Sequence, residues 1–123
     1  MFSAGKCTSS LIEINLGKLD FALSNDFSSM FGGCKNLEKL DVSYFNTNNS
    51  KSFNCMFCGC SKLKEINVSK FKTTNCEKIN SIFSGCSLES IDMLNWDMKN
   101  INRIDNYILL IKIYFKIIKQ NFF

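Results

Sequence analysis

A five-residue phrase returns at a fixed interval in this chain. Met30-Phe31-Gly32-Gly33-Cys34 reappears as Met56-Phe57-Cys58-Gly59-Cys60 and again as Ile82-Phe83-Ser84-Gly85-Cys86. The cysteines at 34, 60 and 86 set the interval at 26 residues. A repeat of this length marks an architecture in which each unit buries its apolar face against its neighbours, not in a core of its own. Aligned copies give four apolar columns: Leu11, Leu37, Leu63, Leu88; Ile14, Leu40, Ile66, Ile91; Leu16, Val42, Val68, Met93; and Leu19, Phe45, Phe71, Trp96. The third copy is one residue shorter between Cys86 and Leu88, so its later columns shift back by one.

Two periodicities follow one another within each copy. The L-x-x-L-x-L stretch at Leu37, Leu40 and Val42 alternates over its second half, as a half-buried strand does. Phe53, Met56, Phe57 and Cys60 then fall at i, i+3, i+4 and i+7, the spacing of one helix face, and 27/30/31/34 and 79/82/83/86 repeat it. Residues able to cap a helix precede each run: Asn25-Asp26, Asn49-Ser50 and Thr74-Asn75. Gly33, Gly59 and Gly85 sit near the other end, where a left-handed residue commonly stops a helix. The expected fold is therefore an α/β repeat, a solenoid with one short strand and one short helix per coil.

Residues 30–47 resemble the repeat of the BspA-like leucine-rich-repeat surface proteins, which runs M-F-x-G-C-x-x-L-x-x-L-D-V-S-x-F-N-T. The second copy departs from it at Asn67 and Lys72, the third at Ile82 and at Leu94-Asn95-Trp96. The likeness spans roughly residues 7–108. It implies a right-handed leucine-rich-repeat solenoid, at the cell surface or secreted, that binds other macromolecules in adhesion or in host or partner recognition. An intracellular protein–protein scaffold in the cytoplasm is the alternative, and a nonfunctional fragment of a longer repeat protein a third reading.

Residues 1–108 thus form the repeat domain, of three to four coils with the first incomplete. Met1-Phe2-Ser3-Ala4-Gly5-Lys6-Cys7 looks like the repeat opening with two residues inserted, as in a segment of a longer array, and no secretory signal pattern is visible. After Ile104, Tyr107 and Ile108, no Gly-Cys follows. Residues 109–123 form an apolar, lysine-bearing segment, expected to be a capping helix because Ile104, Ile108, Ile111, Phe115 and Ile118 keep helical spacing. Membrane contact through 109–119, with Lys112, Lys116 and Lys119 outward, and out-of-frame translation of AT-rich sequence are the competing readings. The segment is too short and too charged to span a bilayer.

The net charge of +4 is modest, and lysines alternate with acids, as in Lys35, Glu38, Lys39 and Asp41. Nucleic-acid binding, which wants a clustered basic face, is not expected. With no His, no glycine-rich phosphate loop and no metal-ligand set, neither an enzyme nor a cofactor is expected. Asp41 and Asp92 at glycosidase-like separation on an open face do not by themselves make a reaction site. Cys55, Cys58 and Cys60 spell C-x-x-C-x-C, but a structural zinc site needs four ligands, so no metal site is expected. Cys34, Cys60 and Cys86 read as buried thiols in a column. Helices ~8–10 Å apart would keep disulfides from forming along it. Cys55, Cys58 and Cys76 lie off the columns and are free to be exposed.

A binding face is the better-supported candidate. Outward positions of the strands form ladders: Glu13, Lys39, Glu65, Ser90; Asn15, Asp41, Asn67, Asp92; and Gly17, Ser43, Ser69, Leu94. Asn alternates with Asp, and Glu with Lys, so that stacked neighbours do not repel. Glu13, Asn15, Lys39, Asp41, Ser43, Glu65, Asn67, Ser69 and Asp92 are the candidate contacts for a protein or glycan ligand. The plain alternative is that they keep a solvated sheet soluble.

Overall fold

The destination of every second backbone N–H decides how the repeat folds. In the computed structural model, residues 12–16 and 19–101 are described. From Phe27 to Gly33 the odd-numbered residues donate to the next copy: Phe27 to Ser52, Ser29 to Asn54, Phe31 to Met56 and Gly33 to Cys58, at 2.7–2.9 Å. One copy on, Phe53, Cys55, Phe57 and Gly59 donate to Lys78, Asn80, Ile82 and Ser84 at 2.7–3.0 Å. The even-numbered residues close local turns instead, Met30 on Phe27, Gly32 on Ser29 and Cys34 on Phe31, at 3.1–3.3 Å. A helix would send every N–H to the carbonyl four residues back. Here half of them go sideways to a neighbouring copy.

The expected helix is thus overturned. Among the described residues there is no helix, and the strands reduce to β1 (Glu13–Ile14) and β2 (Lys39–Leu40). These pair in parallel, Glu13 opposite Lys39 and Ile14 opposite Leu40. Two isolated parallel bridges, Asp26 to Ser52 and Ser52 to Lys78, continue the pairing elsewhere. The expected leucine-rich-repeat solenoid of one helix and one strand per coil gives way to a stack of turns laid copy upon copy. The physical reason lies in the backbone: Ser29, Cys55 and Ser81 have φ of 54–57°, and Gly33, Gly59 and Gly85 have φ of 75–79°. Left-handed residues placed every four positions cannot continue a right-handed helix. The glycines do adopt the left-handed conformation, as links between turns and not as helix stops.

Helical spacing nevertheless selects the inward side chains. Phe27, Met30, Phe31 and Cys34 are buried, as are Phe53, Met56, Phe57 and Cys60. Phenylalanines pile along the stack: Phe31 on Phe57 at 5.7 Å and Phe57 on Phe83 at 5.6 Å, with rings within 5° of parallel. Phe45, Phe71 and Trp96 are buried too, Trp96 lying on Phe71 at 6.2 Å and donating its indole N–H to the Val68 carbonyl at 3.0 Å. Stacked rings at these distances add to the area they bury.

Polar side chains staple the copies from outside. The expected helix caps Asn49 and Asn75 instead donate Nδ2 to the carbonyls of Ala22 and Asn48 at 2.8 Å, and Asn100 to that of Thr74 at 2.6 Å. Thr47 and Thr73 are buried, and each hydroxyl both donates to and accepts from the backbone of the next copy, at Lys72 and Asp97. Where backbones come this close, side chains must be small. A Cβ built on Gly85 would meet the Gly59 Cα at 3.3 Å. The incomplete opening at Met1 to Cys7, the Leu11 column position, the Gly17 ladder position and the terminal segment 109–123 lie outside the described residues.

Candidate functional site

Stacking places the outward strand positions side by side, and a groove runs across them. It encloses about 810 Å³ and is lined by Glu13, Asn15, Lys39, Asp41, Glu65, Asn67 and Asp92 of the predicted set, with Glu38, Tyr44 and Ser90 added. Its floor is Ile14, Leu40, Ile66 and Ile91, whose side chains just reach the surface. Ser43 and Ser69 do not line it. Their hydroxyls donate to Asp41 Oδ1 and Asn67 Oδ1 at 2.6 Å, and their N–H groups do so at 2.9 and 3.1 Å.

Those bonds reveal what the Asp/Asn ladder does structurally. Asp41 Oδ1, Asn67 Oδ1 and Asp92 Oδ1 each accept from the N–H two residues on, at 43, 69 and 94. This is the turn that Asp and Asn side chains make with their own backbone. The ladder therefore shapes the bend after the strand as well as facing the groove. The Ser43 hydroxyl, then its N–H, hold the Asp41 carboxyl below its ordinary value of 3.8. A carboxyl so held stays ionised and is a poor proton donor.

Charge is distributed unevenly. Five lining carboxylates, on Glu13, Glu38, Asp41, Glu65 and Asp92, face one lysine, Lys39. The whole chain carries +4, so the groove opposes the sign of the molecule. Tyr44 stands beside it, 43% exposed. Sequence reasoning missed Glu38 and Tyr44 because strand alternation counts only 39, 41 and 43 as outward. Their neighbourhood to the groove is set by the bends at either end of the strand. Adjacent acids and lysines in the sequence hid the segregation, because Lys35, Lys62, Lys64 and Lys70 stand near these acids along the chain but do not line the groove.

The cysteines divide differently from the expectation. Cys34 is disulfide-bonded, whereas Cys55, Cys58, Cys60, Cys76 and Cys86 are free. Without helices, the ~8–10 Å separation that argued against disulfides along the column does not apply. Cys76, expected to be free for exposure, is fully buried and occupies the place of Ser50 one copy earlier. Its Sγ donates to the Lys78 carbonyl at 3.3 Å as Ser50 Oγ does to that of Ser52. Cys55 and Cys58 are half-buried, and burial, followed by the proximity of Cys55, pushes the Cys58 thiol up. Among the described residues no three potential ligands gather to hold a metal ion, and no helix is long and apolar enough to cross a membrane.

A stack of 26-residue copies, helix-free among the described residues and with an acidic groove across one face, defines this as a repeat protein. The chain belongs to DUF285, a family described as Mycoplasma protein of unknown function, whose model matches residues 1–115. No curated protein and no solved structure matches it significantly.

Proposed function

We propose that the protein is a non-catalytic recognition module whose acidic groove docks a lysine- or arginine-bearing segment of a partner protein at the cell surface or outside the cell. The observation that carries this reading is the inversion of charge, five carboxylates to one lysine in the groove of a chain bearing +4. A positive segment is drawn to the groove and repelled by the rest of the molecule, which selects orientation as well as partner. The apolar floor at Ile14, Leu40, Ile66 and Ile91 offers the stems of long basic side chains a surface to lie on. The non-catalytic reading rests on the carboxylates themselves. Asp41 and Asp92 are engaged as turn acceptors, and Asp41 is held ionised. Surface localisation rests on the likeness of residues 30–47 to the BspA-like surface-protein repeat.

A glycan is the second reading, favoured by the exposed Tyr44 ring beside Asn15, Asn67 and Ser90. An octalysine peptide titrated calorimetrically into the full chain separates the two. Binding that weakens with salt, and falls roughly two- to thirtyfold in Glu38→Gln/Glu65→Gln, follows from removing two exposed charge pairs worth about 0.2–1 kcal/mol each. Those two glutamates are chosen because they build no turn. Equal binding by wild type and variant refutes the docking of a basic segment, and binding of neutral oligosaccharide in its place points to the glycan.

A further inference from the structure

The C-x-x-C of the second copy closes a turn on the outside of the stack. Cys58 donates its N–H to the Cys55 carbonyl at 3.1 Å, so the two cysteines are the first and fourth residues of that turn. The ends of such a turn lie within ~7 Å at Cα, which overlaps the ~4.4–6.8 Å that a disulfide spans. The first copy makes the same turn with Ser29 and Gly32. Gly32 donates to the Ser29 carbonyl at 3.1 Å, and Ser29 has a φ of 57° where Cys55 has 54°. A Cβ built on Gly32 falls 3.6 Å from the Ser29 Cα. One copy on, the same turn sets the Cys58 Cβ against the Cys55 Cα. The two Cβ atoms are then at most one bond length farther apart, in the neighbourhood of the ~3.5–4.5 Å at which disulfides hold them. Both neighbouring copies clamp this turn. Cys55, Phe57 and Gly59 donate to the third copy at 2.7–3.0 Å, and the Asn54, Met56 and Cys58 carbonyls accept from the first at 2.7–2.9 Å.

Met56 and Phe57, between the two cysteines, are fully buried, whereas Cys55 and Cys58 are half-buried and stay within reach of solvent. Packing does not call for sulfur at these places. The corresponding residues are Ser29 and Gly32 in the first copy, and Ser81 and Ser84 in the third. The remaining free thiols among the described residues are placed differently. Cys60 and Cys76 are fully buried, and Cys60, Cys76 and Cys86 donate to the carbonyls of Phe31, Lys78 and Phe57 at 3.0–3.3 Å. We propose that Cys55 and Cys58 are a reversible dithiol–disulfide pair, closed by exchange with a small-molecule disulfide. Neither cysteine lines the acidic groove, so this site is separate from the recognition surface.

The exchange runs in two steps, each begun by a thiolate. One cysteine of the pair loses its proton and attacks a sulfur of the small disulfide. That S–S bond breaks, and one small thiolate leaves and takes up the proton. The other cysteine loses its proton and attacks the protein sulfur of the mixed disulfide, and the second small thiolate leaves with that proton. Two protein thiols lose two protons and two electrons, and the small disulfide is reduced to two thiols. The new bridge lies within a turn that its own hydrogen bond already closes and that both neighbouring copies already hold. The stack therefore needs no rearrangement to accept it.

The test equilibrates the folded full chain with reduced and oxidised glutathione at graded ratios. Samples are quenched with acid, alkylated without reductant, digested with trypsin and examined by mass spectrometry. The expected product is peptide 52–62 bridged from Cys55 to Cys58, with its one alkyl group on Cys60. The bridge is expected to form at a share of oxidised glutathione roughly tenfold lower than in the urea-unfolded chain, because the folded turn already holds the two cysteines together. In Cys58→Ser, which places serine where the third copy has Ser84, Cys55 is expected to keep one glutathione as a mixed disulfide. Alkylation of Cys55, Cys58 and Cys60 alike at every ratio overturns the proposal. So does a bridge from either cysteine to Cys60, a covalent dimer through either, or a bridge that forms no more readily in the folded chain than in the unfolded one. A folded Cys58→Ser protein whose Cys55 takes up no glutathione overturns it equally.

Discussion

Replacing Thr73 with valine exchanges a hydroxyl for a methyl of nearly equal size at the seam between two copies. Thr73 is 1% exposed, and its Oγ1 donates to the Asp97 carbonyl at 3.1 Å while accepting the Asp97 N–H at 2.7 Å. Valine leaves both backbone groups without that partner. A net hydrogen bond contributes about 1 kcal/mol, and a donor or acceptor left unmet at a buried site costs about 1–3 kcal/mol. Against this, the added buried methyl returns about 0.8 kcal/mol. The balance is a loss of about 2 kcal/mol. With an unfolding entropy of about 2.1 cal/mol/K per residue, the melting temperature of a chain this long falls by roughly 8 °C. Thr73→Ser is the informative control, since it keeps the staple and gives up only the methyl, for a loss near 1 kcal/mol. Thermal melts by circular dichroism, with urea titrations alongside, read both variants. Thr47→Val should behave like Thr73→Val, because Thr47 Oγ1 accepts the Lys72 N–H at 2.8 Å and donates to its carbonyl at 3.3 Å. A valine variant within about 0.5 kcal/mol of wild type refutes the reasoning, because the staple would then carry no net energy. A serine variant less stable than the valine one refutes it equally.

Two further expectations follow from the same geometry. Phe57 is fully buried between Phe31 and Phe83, so Phe57→Ala should cost about 3–5 kcal/mol in a urea titration; a loss below about 1.5 kcal/mol would mean that the stack collapses to fill the space. Stability should also fall with acid. The carboxyls of Asp26, Asp41 and Asp97 lie below their ordinary 3.8, held by the Ser28 hydroxyl, the Ser43 hydroxyl and the Lys99 N–H respectively. A folded value below the unfolded one gives stability that is present above 3.8 and lost as pH falls through the folded value. The melting temperature should therefore hold from neutral pH until the carboxylate range and drop below it. Asp41→Asn, which keeps the turn as Asn67 does, should lessen the drop, and an unchanged acid slope in that variant would exclude Asp41 from it.

Much of the groove could be read in advance because alternation is a local rule. Once Leu40 and Val42 point inward, Lys39 and Asp41 point outward, whatever the rest of the copy does. Glu13, Asn15, Glu65, Asn67 and Asp92 follow by the period, and all line the groove with them. Ser43 and Ser69 obey the same count but fold back on Asp41 and Asn67, because a short hydroxyl two residues after an Asx oxygen finds it before solvent or ligand does. Glu38 and Tyr44 come to the groove through bends at the strand ends, which no alternation rule describes.

The amino-acid sequence alone determined the 26-residue period, the outward ladder and the columns that go inward, except that Leu19 is 55% exposed, because these depend only on spacing and on which side chains avoid water. What it left open was the partner of each backbone N–H. The spacing of Phe53, Met56, Phe57 and Cys60 suits a helix and a run of turns equally, since both put the same four side chains on one side. Only stacking decided between them. With a second copy one rung away, Phe53, Cys55, Phe57 and Gly59 bond to Lys78, Asn80, Ile82 and Ser84, and the left-handed residues at Cys55 and Gly59 turn the chain so that they can. Those carbonyls belong to another repeat, so no reading of one copy contains them. The same approach of backbones sets five carboxylates along one groove, and that is a property of the stack.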